Sequence, residues 1–109
     1  MKICVIGGGA AGMMAATLIA QKGHEVSLFE KNEKLGKKIY ITGKGRCNVT
    51  NIAVGQDFYK NIVNGQKFMM SALSKFDSND TMNFFEIEKV PLKVERGGRV
   101  FPCSDKSRK

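Results

Sequence analysis

Apolar positions along the chain fall into short runs with two different periods. "KICVI", Lys2 to Ile6, is apolar and β-branched, and predicts a strand buried on both faces, as in a parallel sheet. Cys4 would then be a packing residue inside it. "MMAATLIAQK", Met13 to Lys22, is a run of good helix formers that stops at Gly23. "EVSLFE", Glu25 to Glu30, predicts a second strand, giving β-α-β in about thirty residues. "EKLGKKIY", Glu33 to Tyr40, offers a short helix after it. Further on, Phe68, Met69, Ala72, Leu73 and Phe76 recur at helical spacing within Gly65 to Phe76. A second helical run, "DSNDTMNFFEIE", opens on the capping residues Asp77 to Asp80. "PLKVE" alternates, "RGGR" turns and "VFP" returns, which predicts a small hairpin. In "PCSDKSRK", Ser104 as N-cap and Asp105 in a first turn predict the start of a further helix.

Composition narrows this picture. The chain has 109 residues, of which 42% are hydrophobic, so a folded domain is expected rather than disorder. The net charge of +8 favours anionic partners such as phosphates, or marks a piece of a longer chain whose acidic part lies elsewhere. Cys4, Cys47 and Cys103 are an odd number without C-x-x-C spacing, which excludes a complete internal disulfide framework and gives no metal pattern. A reducing cytoplasm fits this usage best. The N-terminal apolar run is broken by glycines and ends at Gln21-Lys22 without a cleavage signature, so neither a secretion signal nor a membrane partner is expected.

The chemistry begins with "GGGAAG". Gly7, Gly9 and Gly12 form G-x-G-x-x-G between the first strand and the helix, and Glu30 ends the second strand eighteen residues beyond Gly12. The glycines alone are weak evidence, but strand, helix and acid together make the dinucleotide-binding arrangement. Gly7 serves the tight turn, Gly9 lets a pyrophosphate approach the backbone, and Gly12 lets the helix pack closely. The helix N-terminus attracts the phosphates. Glu30 accepts from ribose hydroxyls, and its carboxylate would repel a 2′-phosphate, which argues against NADP at this first site.

"ITGKGRCNVTN", Ile41 to Asn51, is the second chemical stretch. Its glycines permit sharp turns, and Arg46 and Asn48 are hydrogen-bond donors. Cys47 has no partner thiol or histidine nearby, and its role as a redox thiol is disfavoured. By composition alone, an ordinary polar turn explains the stretch as well.

Four segments, "VIGGGAAGMMAA", "FEKNEKLGKKIYITGKGRCNVTN", "FFEIEKVPLKVERGGRVFP" and "SDK", together resemble the N-terminus of the BaiN-like, aminoacetone-oxidase-like NAD(P)/FAD-dependent oxidoreductases. These are flavoproteins of the glutathione-reductase-like class. The middle segment is the specific one, and members of that family are several times longer than this chain. The resemblance implies bound FAD. Its adenosine half would lie on the stretch from Gly7 to Gly12, with Gly7, Gly9, Ala11 and Gly12 as contacts, and on Glu30 and Lys31, with Lys37 and Lys38 available to phosphates. Its flavin half would lie near Gly45, Arg46, Cys47 and Asn48. NAD(P)H is the candidate electron donor and a small molecule the candidate substrate. Members of the family usually carry glycine where Lys89 stands.

The expected fold is therefore α/β, a Rossmann-like FAD-binding β-α-β start followed by helices and a small β-hairpin. Residues 1–109 are expected to be the N-terminal portion of a truncated FAD/NAD(P)-binding domain, with the remainder of a parent chain needed to complete the fold. The expected function is the cofactor-binding segment of a flavin-dependent oxidoreductase. The alternative is a non-catalytic dinucleotide-binding module or inactive fragment. Nucleic acid is set aside because the six cations from Lys31 to Arg46 have only Tyr40 among them as a stacking aromatic. No general acid or base stands out.

Overall fold

The computed structural model describes residues 1–106. Two small sheets are linked by an irregular segment. The first sheet pairs β1, Lys2–Ile6, in parallel with β2, Glu25–Phe29, in the register Lys2 to Glu25 through Ile6 to Phe29. The crossover is α1, Ala10–Gln21, which packs on both strands. Its C-terminal carbonyls are closed by the N–H groups of Lys22 and Gly23, and Gly23 has φ +90, as the glycine stop requires.

The strands are not buried on both faces as expected. Ile3, Val5, Val26 and Leu28 are half-buried on the side that meets α1, while Cys4, Ile6, Ser27 and Phe29 are exposed on the other. The period-two alternation of strand side chains makes this division, and only one face has a helix on it. Cys4 is consequently a surface thiol rather than a packing residue.

The predicted helix over Glu33 to Tyr40 does not form. Gly36 takes φ +64 and sends its N–H to the carbonyl of Gly8 at 2.7 Å, which breaks helical continuity. A kinked 3-10 segment follows at Ile39–Gly45. β3, Thr50–Asn51, and the single turn α2, Gln56–Tyr59, come next. Neither was expected, since two residues of "TN" carry no alternation and four residues no helical period.

The two predicted helices form as α3, Gln66–Lys75, and α4, Ser78–Ile87. A reciprocal capping box starts α4: Asp80 N–H donates to the Asp77 side chain, and Asp77 N–H donates to the Asp80 side chain. The hairpin is β4, Leu92–Glu95, and β5, Arg99–Pro102. β5 is also paired with β3, so the second sheet is antiparallel in the order β3-β5-β4. α4 packs against β3 and β4. Among the described residues, Val100 and Phe101 on the central strand are the buried hydrophobic ones, at 0% and 2% exposure.

The helix start expected after Pro102 is not seen where it is described. Asp105 has φ +58, outside helical geometry, because its carboxylate is drawn back to Arg46 and Lys93. Residues 107–109 of that segment lie outside the described residues. Among the described residues no helix is long and apolar enough to cross a membrane.

Candidate functional site

The turn between β1 and α1 is tight because Gly7 adopts φ +102, which an L side chain disfavours. Gly12 then approaches so closely that a Cβ on it would stand 1.8 Å from the Gly7 carbonyl oxygen. A Cβ on Gly9, by contrast, would meet nothing within 4 Å. Gly12 is thus required by the fold itself, and Gly9 leaves space beside the backbone. Gly9 is also the N-cap of α1, and no side chain caps that end. The N–H groups of the first turn, Ala11 and Gly12 among them, have no intrahelical partner and carry the positive end of the helix dipole.

Glu30 closes the other side. Its Oε1 accepts from the Gly8 N–H at 2.7 Å and its Oε2 from the Asn32 N–H at 2.8 Å. These two bonds, from Asn32 first and Gly8 second, hold the carboxyl below the usual range, with Lys31 adding a smaller effect in the same direction. The acid is therefore ionised throughout the neutral range, and each oxygen keeps a further lone pair. Gly8 is buried at the centre of this arrangement. Its N–H goes to Glu30, its carbonyl accepts from Gly36, and a Cβ on it would stand 2.4 Å from Leu35 Cδ2.

A depression of about 320 Å³ lies over these groups, lined by Gly8, Gly9, Ala10, Glu30, Asn32, Lys37, Lys38, Ile39 and Thr42. One wall is the helix end and the acid, and the other carries two ammonium groups. That donor set suits an elongated ligand with phosphates and ribose hydroxyls.

Of the residues expected to bind cofactor, Gly9, Glu30 and Lys38 line the depression, and Gly7, Ala11 and Gly12 build its turn. Lys31 is exposed beside Glu30. The flavin-side group lies elsewhere: Gly45, Arg46, Cys47 and Asn48 are outside the lining, and Arg46 and Asn48 are bonded to the second sheet. The Asn48 amide nitrogen, turned toward its acceptors, donates to the carbonyls of Thr50 and Val100 at 3.0 and 3.2 Å. Cys47 is half-buried at φ +64, and its N–H donates to the Thr42 carbonyl at 3.0 Å. Arg46 is paired with Glu95 and Asp105, and its guanidinium lies 4.0 Å above the Phe101 ring.

Sequence reasoning reached Gly8 only as part of the stretch from Gly7 to Gly12, and it missed Asn32, Ile39 and Thr42. Asn32, Ile39 and Thr42 gave no signal, because their place depends on how residues 31–45 fold back over the turn.

Comparison with known proteins agrees with the fold. The HI0933-like protein Rossmann domain matches residues 1–109. The 3-dehydro-bile acid delta(4,6)-reductase of Clostridium scindens is 37% identical over 108 residues, covering 97% of this chain and 26% of that protein. The ribosomal RNA dihydrouridine synthase of Escherichia coli is 35% identical over 101 residues, covering 93% of this chain and 24% of that protein. Its namesake from Haemophilus influenzae is 31% identical over 97 residues, covering 89% and 24% respectively. The chain thus spans about a quarter of the length of these relatives.

Proposed function

Because the chain belongs to the HI0933-like Rossmann-domain family, we propose that residues 1–109 are the FAD-binding N-terminal portion of a flavin-dependent oxidoreductase acting in the cytoplasm. The observation that carries this reading is the joint placement of the open Gly9 backbone, the uncapped α1 terminus and the ionised Glu30 around one depression. The residues fit the group: the space where a Gly9 side chain would stand is free, and acceptor and donor groups flank it.

In this assignment α1 and Gly9 take the pyrophosphate, Glu30 takes ribose hydroxyls, and Lys37 and Lys38 neutralise phosphate charge. Bound FAD supplies hydride acceptance and donation. The chain's own task is to hold and orient it, with NAD(P)H as the electron donor of the longer protein. A small molecule is the favoured substrate class. RNA stands as the second reading, supported by relatives named for a ribosomal RNA base and by the net charge of +8.

Titration of FAD into the purified chain, followed by flavin fluorescence, tests the assignment. Saturable quenching is expected, and Gly9→Val is expected to abolish it while helical content stays intact. Equal binding by both proteins overturns the reading. Tighter binding of NAD than of FAD would favour the non-catalytic dinucleotide module instead. A salt-sensitive complex with a ribosomal RNA fragment would favour the RNA reading.

A further inference from the structure

Arg46 is the most heavily engaged polar side chain outside the depression. Its Nε donates to Asp105 Oδ1 at 2.9 Å, and its Nη2 contacts Asp105 Oδ1 at 2.8 Å and Glu95 Oε2. Lys93 completes a square, with Nζ 2.6 Å from Asp105 Oδ2 and 3.3 Å from Glu95 Oε2. The guanidinium plane rests on Phe101, which is 2% exposed, and Arg99 approaches the same ring at 5.5 Å. A lysine could not reproduce this fork and stacking together.

The backbone that Arg46 ends is strained. Gly43, Lys44 and Gly45 have φ of +56, +56 and +84, and Cys47 has +64. Lys44 and Cys47 carry side chains, which crowd the backbone in that region. Such a conformation persists only where surrounding contacts over-determine it. The contacts present are those of the second sheet. A Cβ on Gly43 would stand 3.1 Å from Phe101 Cε1, and the Val49 N–H donates to the Val100 carbonyl at 2.8 Å. At its other end the same segment presents Ile39 and Thr42 to the depression, and Ile39 N–H donates to the Gly36 carbonyl at 2.9 Å.

We propose that Arg46 is a positioning residue rather than a cofactor contact: its clamp on Glu95, Asp105 and Phe101 locks the left-handed loop at residues 43–47. In this way it fixes the wall that Ile39 and Thr42 give the dinucleotide site. The Nε and Nη2 donors are committed to two carboxylates, and one face of the guanidinium to a ring. The link to the cofactor rests on the FAD reading above, whereas the clamp itself is a property of the ligand-free chain.

The test therefore uses two readouts. In the ligand-free chain, the rate of Cys47 alkylation by iodoacetamide is compared with that of the exposed Cys4, resolved by peptide mass. Arg46→Gln is expected to speed Cys47 about tenfold, as local opening does, and to leave Cys4 unchanged. Asp105→Asn, which leaves Arg46 in place, is expected to act in the same direction. Lys44→Gly added to Arg46→Gln is expected to recover part of the protection by relieving strain.

The second readout is FAD affinity, expected to fall about fivefold in both Arg46→Gln and Asp105→Asn through a smaller competent fraction. Unchanged Cys47 reactivity in both variants overturns the clamp. So does a loss of FAD in Arg46→Gln alone with Asp105→Asn at the wild-type value, since that marks direct contact. If the wild-type chain binds no FAD while Cys47 still becomes reactive, the clamp stands and the FAD reading falls.

Discussion

Gly8 and Glu30 are joined across 22 residues, the Gly8 N–H donating to Glu30 Oε1 at 2.7 Å. The acid is thus a brace for the turn between β1 and α1. Glu30→Ala removes this brace together with the proposed ribose acceptor, and is expected to weaken FAD binding about tenfold or more. Its pKa lies below the usual carboxylate value, because the N–H groups of Asn32 and Gly8 favour the charged form. The contribution is therefore constant between about pH 5 and 8 and is lost only as pH falls through the depressed value. FAD titrations of wild type and Glu30→Ala across that range check this. A loss of the difference already near neutrality would show that Glu30 is not the group responsible.

The glycines of the turn should separate by what a side chain would meet. Gly12→Ala drives a methyl to 1.8 Å from a backbone carbonyl that cannot yield, so the β-α-β unit should fail to fold stably. Gly8→Ala meets the flexible end of Leu35 at 2.4 Å and Glu30 Cβ at 3.2 Å, and should cost about 1–3 kcal/mol. Gly9→Ala meets nothing within 4 Å and should unfold at the wild-type urea concentration. Urea midpoints of the three variants give the order directly, and a Gly9→Ala as unstable as Gly12→Ala would contradict it.

Where local periods decide structure, the sequence was readable. Lys2–Ile6, Glu25–Phe29, α3, α4 and the hairpin each announce themselves through alternation, helical spacing or caps. The turn between β1 and α1 was readable for the same reason, since its glycines and Glu30 sit at fixed offsets around a strand and a helix. The loop at residues 43–47 was not. Arg46 finds its partners 49 and 59 residues away, a relation that only the tertiary pairing of β3 with β5 creates. An arginine in a polar loop looks like a ligand donor until such partners are located. The open face of β1 and β2 was likewise invisible, because a continuous apolar run reads the same whether one face or two are covered.

That open face has a measurable consequence. Ile6 is 80% exposed and Phe29 57% exposed, adjacent in register on neighbouring strands. The isolated chain should self-associate through this patch and its unpaired strand edges. Ile6→Lys is expected to shift light-scattering onset to higher protein concentration with no loss of helical signal. Unaltered association would place the sticky surface elsewhere.

The clamp around Arg46 should make stability depend on acid. Glu95 is held below the usual range chiefly by Arg46, and Asp105 chiefly by Lys93 and then Arg46. An unfolded chain regains the ordinary carboxylate values near about 4, so it binds more protons than the folded one just below that pH. Stability therefore rises with pH through that window and is flat above it. Lys93, raised chiefly by Asp105, behaves oppositely and loses its contribution only at alkaline pH. Asp105→Asn should shrink the drop in urea midpoint between about pH 6 and pH 3. Since these side chains are 30–45% exposed, molar salt should shrink it too. A drop of the same size in the variant would assign the acid sensitivity to other carboxylates.

Lys89 offers the most direct gain in stability. α4 ends in a Schellman arrangement: Lys89 N–H donates to the Glu86 carbonyl at 3.0 Å, and Val90 N–H to the Phe85 carbonyl at 2.9 Å. The geometry places residue 89 in the left-handed region, and Lys89 has φ +66. Glycine is the residue that adopts this conformation without steric cost. A side chain there costs on the order of 1 kcal/mol, partly offset because glycine adds freedom to the unfolded chain. Lys89→Gly should accordingly raise the unfolding free energy by about 0.5–1 kcal/mol, and Lys89→Asn by less. Lys89→Ala keeps the Cβ and should bring no gain, which separates backbone strain from removal of a positive charge. If alanine stabilises as much as glycine in the same urea titrations, charge rather than φ is what burdens this helix end.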